Sequence, residues 1–125
     1  MDRVVIGRKT DTGLSTQSVT ANGLIFTTGS IGNDLESGEL PPDIETQTTN
    51  TLARLSRILD NAGTSLAKVI KVTVYLDEID AEFDRMSAAY KQYLDDHGIT
   101  EPPARTTIGC RLPWSKVEMD MIALA

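Results

Sequence analysis

The chain has 125 residues, 40% of them hydrophobic and 24% charged, with 12 Lys and Arg against 18 Asp and Glu for a net charge of −6. That length suits one domain, and no stretch approaches the roughly 18 consecutive apolar residues of a membrane-spanning helix, so a disordered tail and a bilayer protein are both excluded. The acidic balance argues against nucleic acid, and one histidine and one cysteine argue against the usual zinc or copper sites.

Val4-Val5-Ile6 opens the chain as a first strand. The segment Thr10 to Thr20, rich in Thr, Ser and Gly, reads as loop. Leu24-Ile25-Phe26-Thr27-Thr28 is a stronger strand, begun by Asn22-Gly23 and ended by Gly29. Ile31 to Leu40 reads as an exposed loop. Pro41-Pro42-Asp43 then announces a helix over about 43–62, with Asp43 as N-cap, Glu45 in the acid-favouring first turn and Gly63 as C-cap glycine. Its apolar and small residues recur with the 3.6 period from Ile44 through Leu52, Leu55 and Leu59 to Ala62.

Val69 to Leu76 alternates as a strand with Ile70, Val72, Val74 and Leu76 on one face. Asp80 caps a second helix whose stripe runs Phe83, Met86, Tyr90 and Leu94, ending near His97-Gly98. After Pro102-Pro103 come two last strands, Arg105 to Leu112 and Lys116 to Leu124, joined by Pro113-Trp114-Ser115. The order ββαβαββ, with two helices on one face of a mixed sheet, predicts a two-layer α+β domain over 1–125. Both faces of the last strand carry apolar side chains, which a second copy of the chain would bury.

Alternation also sorts the polar candidates. Arg105, Thr107 and Gly109 share one strand face, and parity places Arg105 and Glu118 on adjoining strands, both on the side away from the helices. A guanidinium offers a planar fork to a carboxylate, and a half-buried glutamate nearby can position or deprotonate water. The pair suits hydrolysis of a small carboxylate-bearing substrate; it equally suits a structural ion pair between copies.

Pro103-Ala104-Arg105-Thr106-Thr107-Ile108, then Leu112-Pro113 and Val117-Glu118-Met119, resemble the C-terminal signature of the RidA/YjgF family of reactive-intermediate deaminases. Phe26-Thr27-Thr28-Gly29, Asp43 to Thr48, Ile58-Leu59, Ala62 to Ser65 and Val69 to Leu76 fit the same pattern. The resemblance implies a chorismate-mutase-like homotrimer with three clefts between subunits and no cofactor. It implies hydrolysis of 2-imino or 2-enamino acids to 2-oxo acids and ammonia, with Arg105 on the substrate carboxylate, Glu118 on the water, and Thr28 and Gly29 lining the cleft. Other members are described as ribonucleases or translation inhibitors.

The chain departs from the family pattern at three cleft positions. Gly13-Leu14-Ser15 stands where the family has Gly-Pro-Tyr, so Ser15 replaces an aromatic ring; Thr107 replaces a frequent cysteine and Ser87 an asparagine. This marks a divergent member. A non-catalytic trimer that binds small carboxylate metabolites is the alternative these changes keep open. Of the remaining polar residues, Cys110 reads as a small core residue, His97 as a surface group at a helix end, Asp120 as a possible second acid beside Glu118, and Trp114 as cleft rim or interface. With one cysteine and no secretory pattern at the N-terminus, a cytoplasmic protein is expected.

Overall fold

The structure is a computed structural model that describes residues 3–9 and 13–125. Six strands form one sheet, β1 (Val4–Lys9), β2 (Thr16–Ala21), β3 (Leu24–Thr27), β4 (Val69–Leu76), β5 (Ala104–Gly109) and β6 (Val117–Leu124). Their spatial order is β1-β2-β3-β6-β4-β5, antiparallel throughout except for the parallel pair β4 and β5. Two helices, α1 (Ile44–Asn61) and α2 (Ile79–Asp96), and a short 3₁₀ turn at Leu66–Lys68 complete the elements of the described residues. The expected α+β class holds, but the order is βββαβαββ.

The additional strand is β2, inside the segment read as loop; Thr10 to Thr12 of that segment lie outside the described residues. Its sequence, Thr16-Gln17-Ser18-Val19-Thr20-Ala21, lacks an apolar inward stripe because the inward, buried position is Ser18. Pairing to β1 and β3 on both sides, rather than burial of apolar side chains, makes it a strand.

α1 forms for the reasons legible in its sequence. The Asp43 carboxylate accepts from the Thr46 backbone N–H at 2.9 Å and from Thr46 Oγ1 at 2.7 Å, and Gly63 takes the left-handed φ of 83° that ends the helix. The Thr46 hydroxyl and then its N–H hold the Asp43 carboxyl below its ordinary pKa. A depressed folded-state value means that the cap stabilises above the unfolded pKa of about 4 and that this contribution is lost as pH falls through the folded value. Asp43→Ala is therefore expected to lower the melting temperature most near neutrality, the gap to wild type narrowing below about pH 4 in thermal melts across pH.

Helix α2 starts one residue before the expected cap. Glu78 occupies the N-cap without a capping side-chain bond, and Asp80 and Glu82 lie in the first turn, where the helix dipole favours acids.

The core lies between the helices and one sheet face. Val72, Val74 and Leu76 of β4 and Val117, Met119 and Met121 of β6 are buried there against Leu52, Leu55 and Leu59 of α1 and Met86 and Leu94 of α2. Ile70 departs from the predicted stripe and is 43% exposed, because the β4–β6 register shifts between Val69 and Lys71 and Val69 turns inward instead. Cys110 is half-buried and outside the core, since it follows the end of β5, an edge strand with one neighbour. The other sheet face is uncovered. The registers place Val5, Phe26, Ile108 and Leu124 on it, all substantially exposed.

Candidate functional site

Arg105 and Glu118 occupy opposite faces of the sheet, contrary to the parity argument. Strand β4 lies between β5 and β6, so the two strands are not neighbours. Arg105 is in register with Val72, whose side chain is in the core, whereas Glu118 is in register with Tyr75, on the uncovered face. Parity within each strand is correct; the relative phase of two strands depends on register, which parity does not contain.

Arg105 is seated on α2. Its Nη2 donates to Ser87 Oγ at 3.0 Å, and its guanidinium carbon lies 4.9 Å from the Tyr90 ring centroid and 5.6 Å from that of Phe83. Phe83, Ser87 and Tyr90 are spaced i, i+4, i+7, one stripe of the helix, which makes a platform under the cation. Burial raises the Tyr90 pKa, opposed by the Arg105 charge, and its hydroxyl has no hydrogen-bond partner among the described residues. None of the ion pairs among the described residues involves Arg105. Thr107, in register with Val74, lies two residues along the same strand face. The result is a preorientated, half-buried cation with donors to spare for an external anion.

The second cluster gathers around Glu118. Trp114 Nε1–H donates to Glu118 Oε1 at 3.0 Å, so the tryptophan whose place was open between rim and interface anchors this carboxylate. Backbone bonds between Ser30 and Met119, 2.8 and 3.0 Å long, clamp the end of β3 against β6. They bring Gly29 so close to Glu118 that a Cβ on Gly29 would collide with the carboxylate oxygen Oε2. Thr28 Oγ1 reaches Ser15 Oγ at 3.5 Å. Beside them, Tyr75 donates to Asp120 Oδ2 at 3.2 Å, and burial followed by the Asp120 charge raises the Tyr75 pKa, which keeps that hydroxyl a donor.

The seven site residues expected from the sequence thus fall into two groups, Arg105, Ser87 and Thr107 on one side and Ser15, Thr28, Gly29 and Glu118 on the other. The aromatic platform and the Trp114 anchor were not assigned such roles from the sequence. The i, i+4, i+7 spacing on α2 was the signal for the first; the loop geometry behind the second has no sequence signal. Among the described residues no group of three His, Cys, Asp or Glu side chains is arranged to hold a metal ion, and no helix is long and apolar enough to cross a membrane.

A family model described as endoribonuclease L-PSP matches residues 9–125. TdcF of Escherichia coli is 32% identical over 109 residues, covering 86% of this chain and 84% of that protein. Its crystal structure with bound serine superposes with a TM-score of 0.86 at 30% identity and covers 98% of both chains. The E. coli YjgF gene product superposes with a TM-score of 0.87 at 28% identity over 97% of this chain and 98% of that one. The 2-iminobutanoate/2-iminopropanoate deaminase of E. coli is 28% identical over 109 residues, 86% of this chain and 84% of that protein. By its sequence match over nearly the whole chain and by its fold, the protein belongs to the RidA/YjgF family, whose family model carries the endoribonuclease L-PSP description.

Proposed function

We propose that the protein hydrolyses 2-imino or 2-enamino acids to 2-oxo acids and ammonia, in clefts where Arg105 of one subunit of a homotrimer meets Glu118 of a neighbouring copy. The observation that carries this reading is the unneutralised Arg105 guanidinium, held over Tyr90 and tied to Ser87 at 3.0 Å on an edge strand. One chain separates the two groups by the thickness of its sheet. The uncovered apolar face bearing Phe26, Ile108 and Leu124 supports a second copy that brings them together. The relative named 2-iminobutanoate/2-iminopropanoate deaminase and the serine bound to TdcF, which carries an α-carboxylate, favour the same chemistry.

In this mechanism the guanidinium holds the substrate carboxylate by paired hydrogen bonds and polarises the adjoining carbon. Glu118, aimed by Trp114, orients a water and takes its proton as the oxygen adds to the imine carbon. The nitrogen is protonated, the carbon–nitrogen bond of the resulting carbinolamine breaks, ammonia leaves and the carbonyl forms. Water supplies the oxygen and two protons of the products, and nothing is oxidised or reduced. Aqueous imines hydrolyse readily, so general acid–base assistance of about 10²–10⁴-fold is sufficient catalysis. A net charge of −6 weighs against the ribonuclease activity in the family description, since phosphate chains are gripped by basic surfaces.

The test is imine decay after an amino-acid oxidase generates the substrate in place. Wild type is expected to accelerate decay over a panel of imines, and Arg105→Ala or Glu118→Gln to remove the acceleration. A wild type that binds 2-oxo acids yet never exceeds the spontaneous rate across the panel would establish a binding protein instead.

A further inference from the structure

A second guanidinium, that of Arg54 on α1, is part of neither cluster. One stripe of α1, at positions 47, 50 and 54, faces the loop after β3. Gln47 Nε2 donates to the Pro41 carbonyl at 2.7 Å, Asn50 Nδ2 to that of Gly32 at 3.1 Å, and Arg54 Nη2 to that of Asn33 at 3.3 Å. Next to these ties is a hollow of about 270 Å³, lined among others by Gln17, Thr28, Ser30, Asn33, Arg54 and Ile58. It is several times the share of liquid volume of one water, roughly 30 Å³.

Arg54 is half-buried, and its 3.3 Å contact with a carbonyl is its one hydrogen bond to the described residues. None of the ion pairs among those residues involves it. Arg85 illustrates the engaged state, gripping Glu45 through two nitrogens at 2.9 and 2.7 Å. A guanidinium carries five N–H donors and keeps its charge at every accessible pH, so Arg54 holds most of its donor capacity in reserve at the wall of a hollow with mixed polar and apolar lining.

We propose that this hollow is a binding site for a small anion, a carboxylate or phosphate, with Arg54 as its charged anchor. Gln17, Thr28 and Ser30 provide uncharged polar groups around the same space. The hollow shares Thr28 and Gly29 with the Glu118 cluster but takes its charge from Arg54, and it does not depend on the deaminase reading.

Titration calorimetry of the full chain at low ionic strength, with inorganic phosphate and with succinate as separate probes, tests it. Saturable binding of at least one probe is expected to persist in the Arg105→Ala chain, which lacks the other candidate carboxylate anchor, and there to be weakened about tenfold or more by adding Arg54→Gln and partly retained with Arg54→Lys. The probe that binds identifies phosphate or carboxylate as the group recognised. Should Arg54→Gln fail to fold, wild-type amide shifts decide: movement at Ser30 to Asn33 and along α1 supports the site, and movement confined to the surroundings of Arg105 overturns it. No saturable binding by the Arg105→Ala chain, or equal binding by that chain after Arg54→Gln is added, also overturns it.

Discussion

Co-assembled Arg105→Ala and Glu118→Ala chains are expected to recover about a quarter of the wild-type imine hydrolysis, although each variant alone loses about 10²-fold or more. The fraction follows from geometry. A cleft that takes its guanidinium from one subunit and its carboxylate from the next is intact when an Arg105-bearing chain adjoins a Glu118-bearing one in the correct sense. Random mixing satisfies that in half of cases for each position, hence about one cleft in four. Each single loss is large because the groups act at different moments. In the proposed mechanism Arg105 binds and polarises, its loss removing hydrogen bonds to a charged group of about 1.5–3 kcal/mol each, whereas Glu118 handles the proton. The measurement is a rate on chains refolded together and on the same chains mixed after folding. Activity no higher than the mean of the two singles would mean that no cleft is shared, and the proposed site would fail.

Gly29→Ala should separate activity from stability. The new methyl collides with Oε2 of Glu118, and the next nearest atoms, at 3.3 and 3.6 Å, also belong to that side chain. A flexible carboxylate can swing away cheaply, and Gly29 does not have a left-handed φ that would penalise alanine. The melting temperature is therefore expected to move by no more than about 2 °C. The displaced carboxylate leaves Trp114 Nε1 and, in the proposed mechanism, its aim at the water, where misplacement by about 1 Å costs on the order of 10²-fold in rate. Adding Gly29→Ala to Glu118→Ala should then change the rate little, because both act through one carboxylate. A full second loss in the double variant would show that Gly29 works through something else.

Much of this architecture was legible in the residues. Asp43, Glu45 and Gly63 bound α1 because capping and left-handed termination are local chemistry, and the alternation of Val72, Val74 and Leu76 carried β4. β2 escaped because its buried position is Ser18, so the usual apolar alternation was missing where pairing on both flanks makes the strand. Arg105 and Glu118 stood out as a cation and an acid, yet the expectation of adjoining strands and a shared face fails. That phase is set by the parallel register of Val72 with Arg105 and the antiparallel register of Tyr75 with Glu118, both long-range facts. The Tyr90 and Phe83 platform was present as helical spacing and was read as core stripe alone.

The hydrogen bond from Trp114 to Glu118 joins the chain's sole indole to the carboxylate assigned to the water. Indole emission responds to charge and solvent a few ångströms away, and no other tryptophan dilutes the signal. The molecule thus contains its own optical probe: fluorescence from one native ring reads out what happens at that acid, without any label.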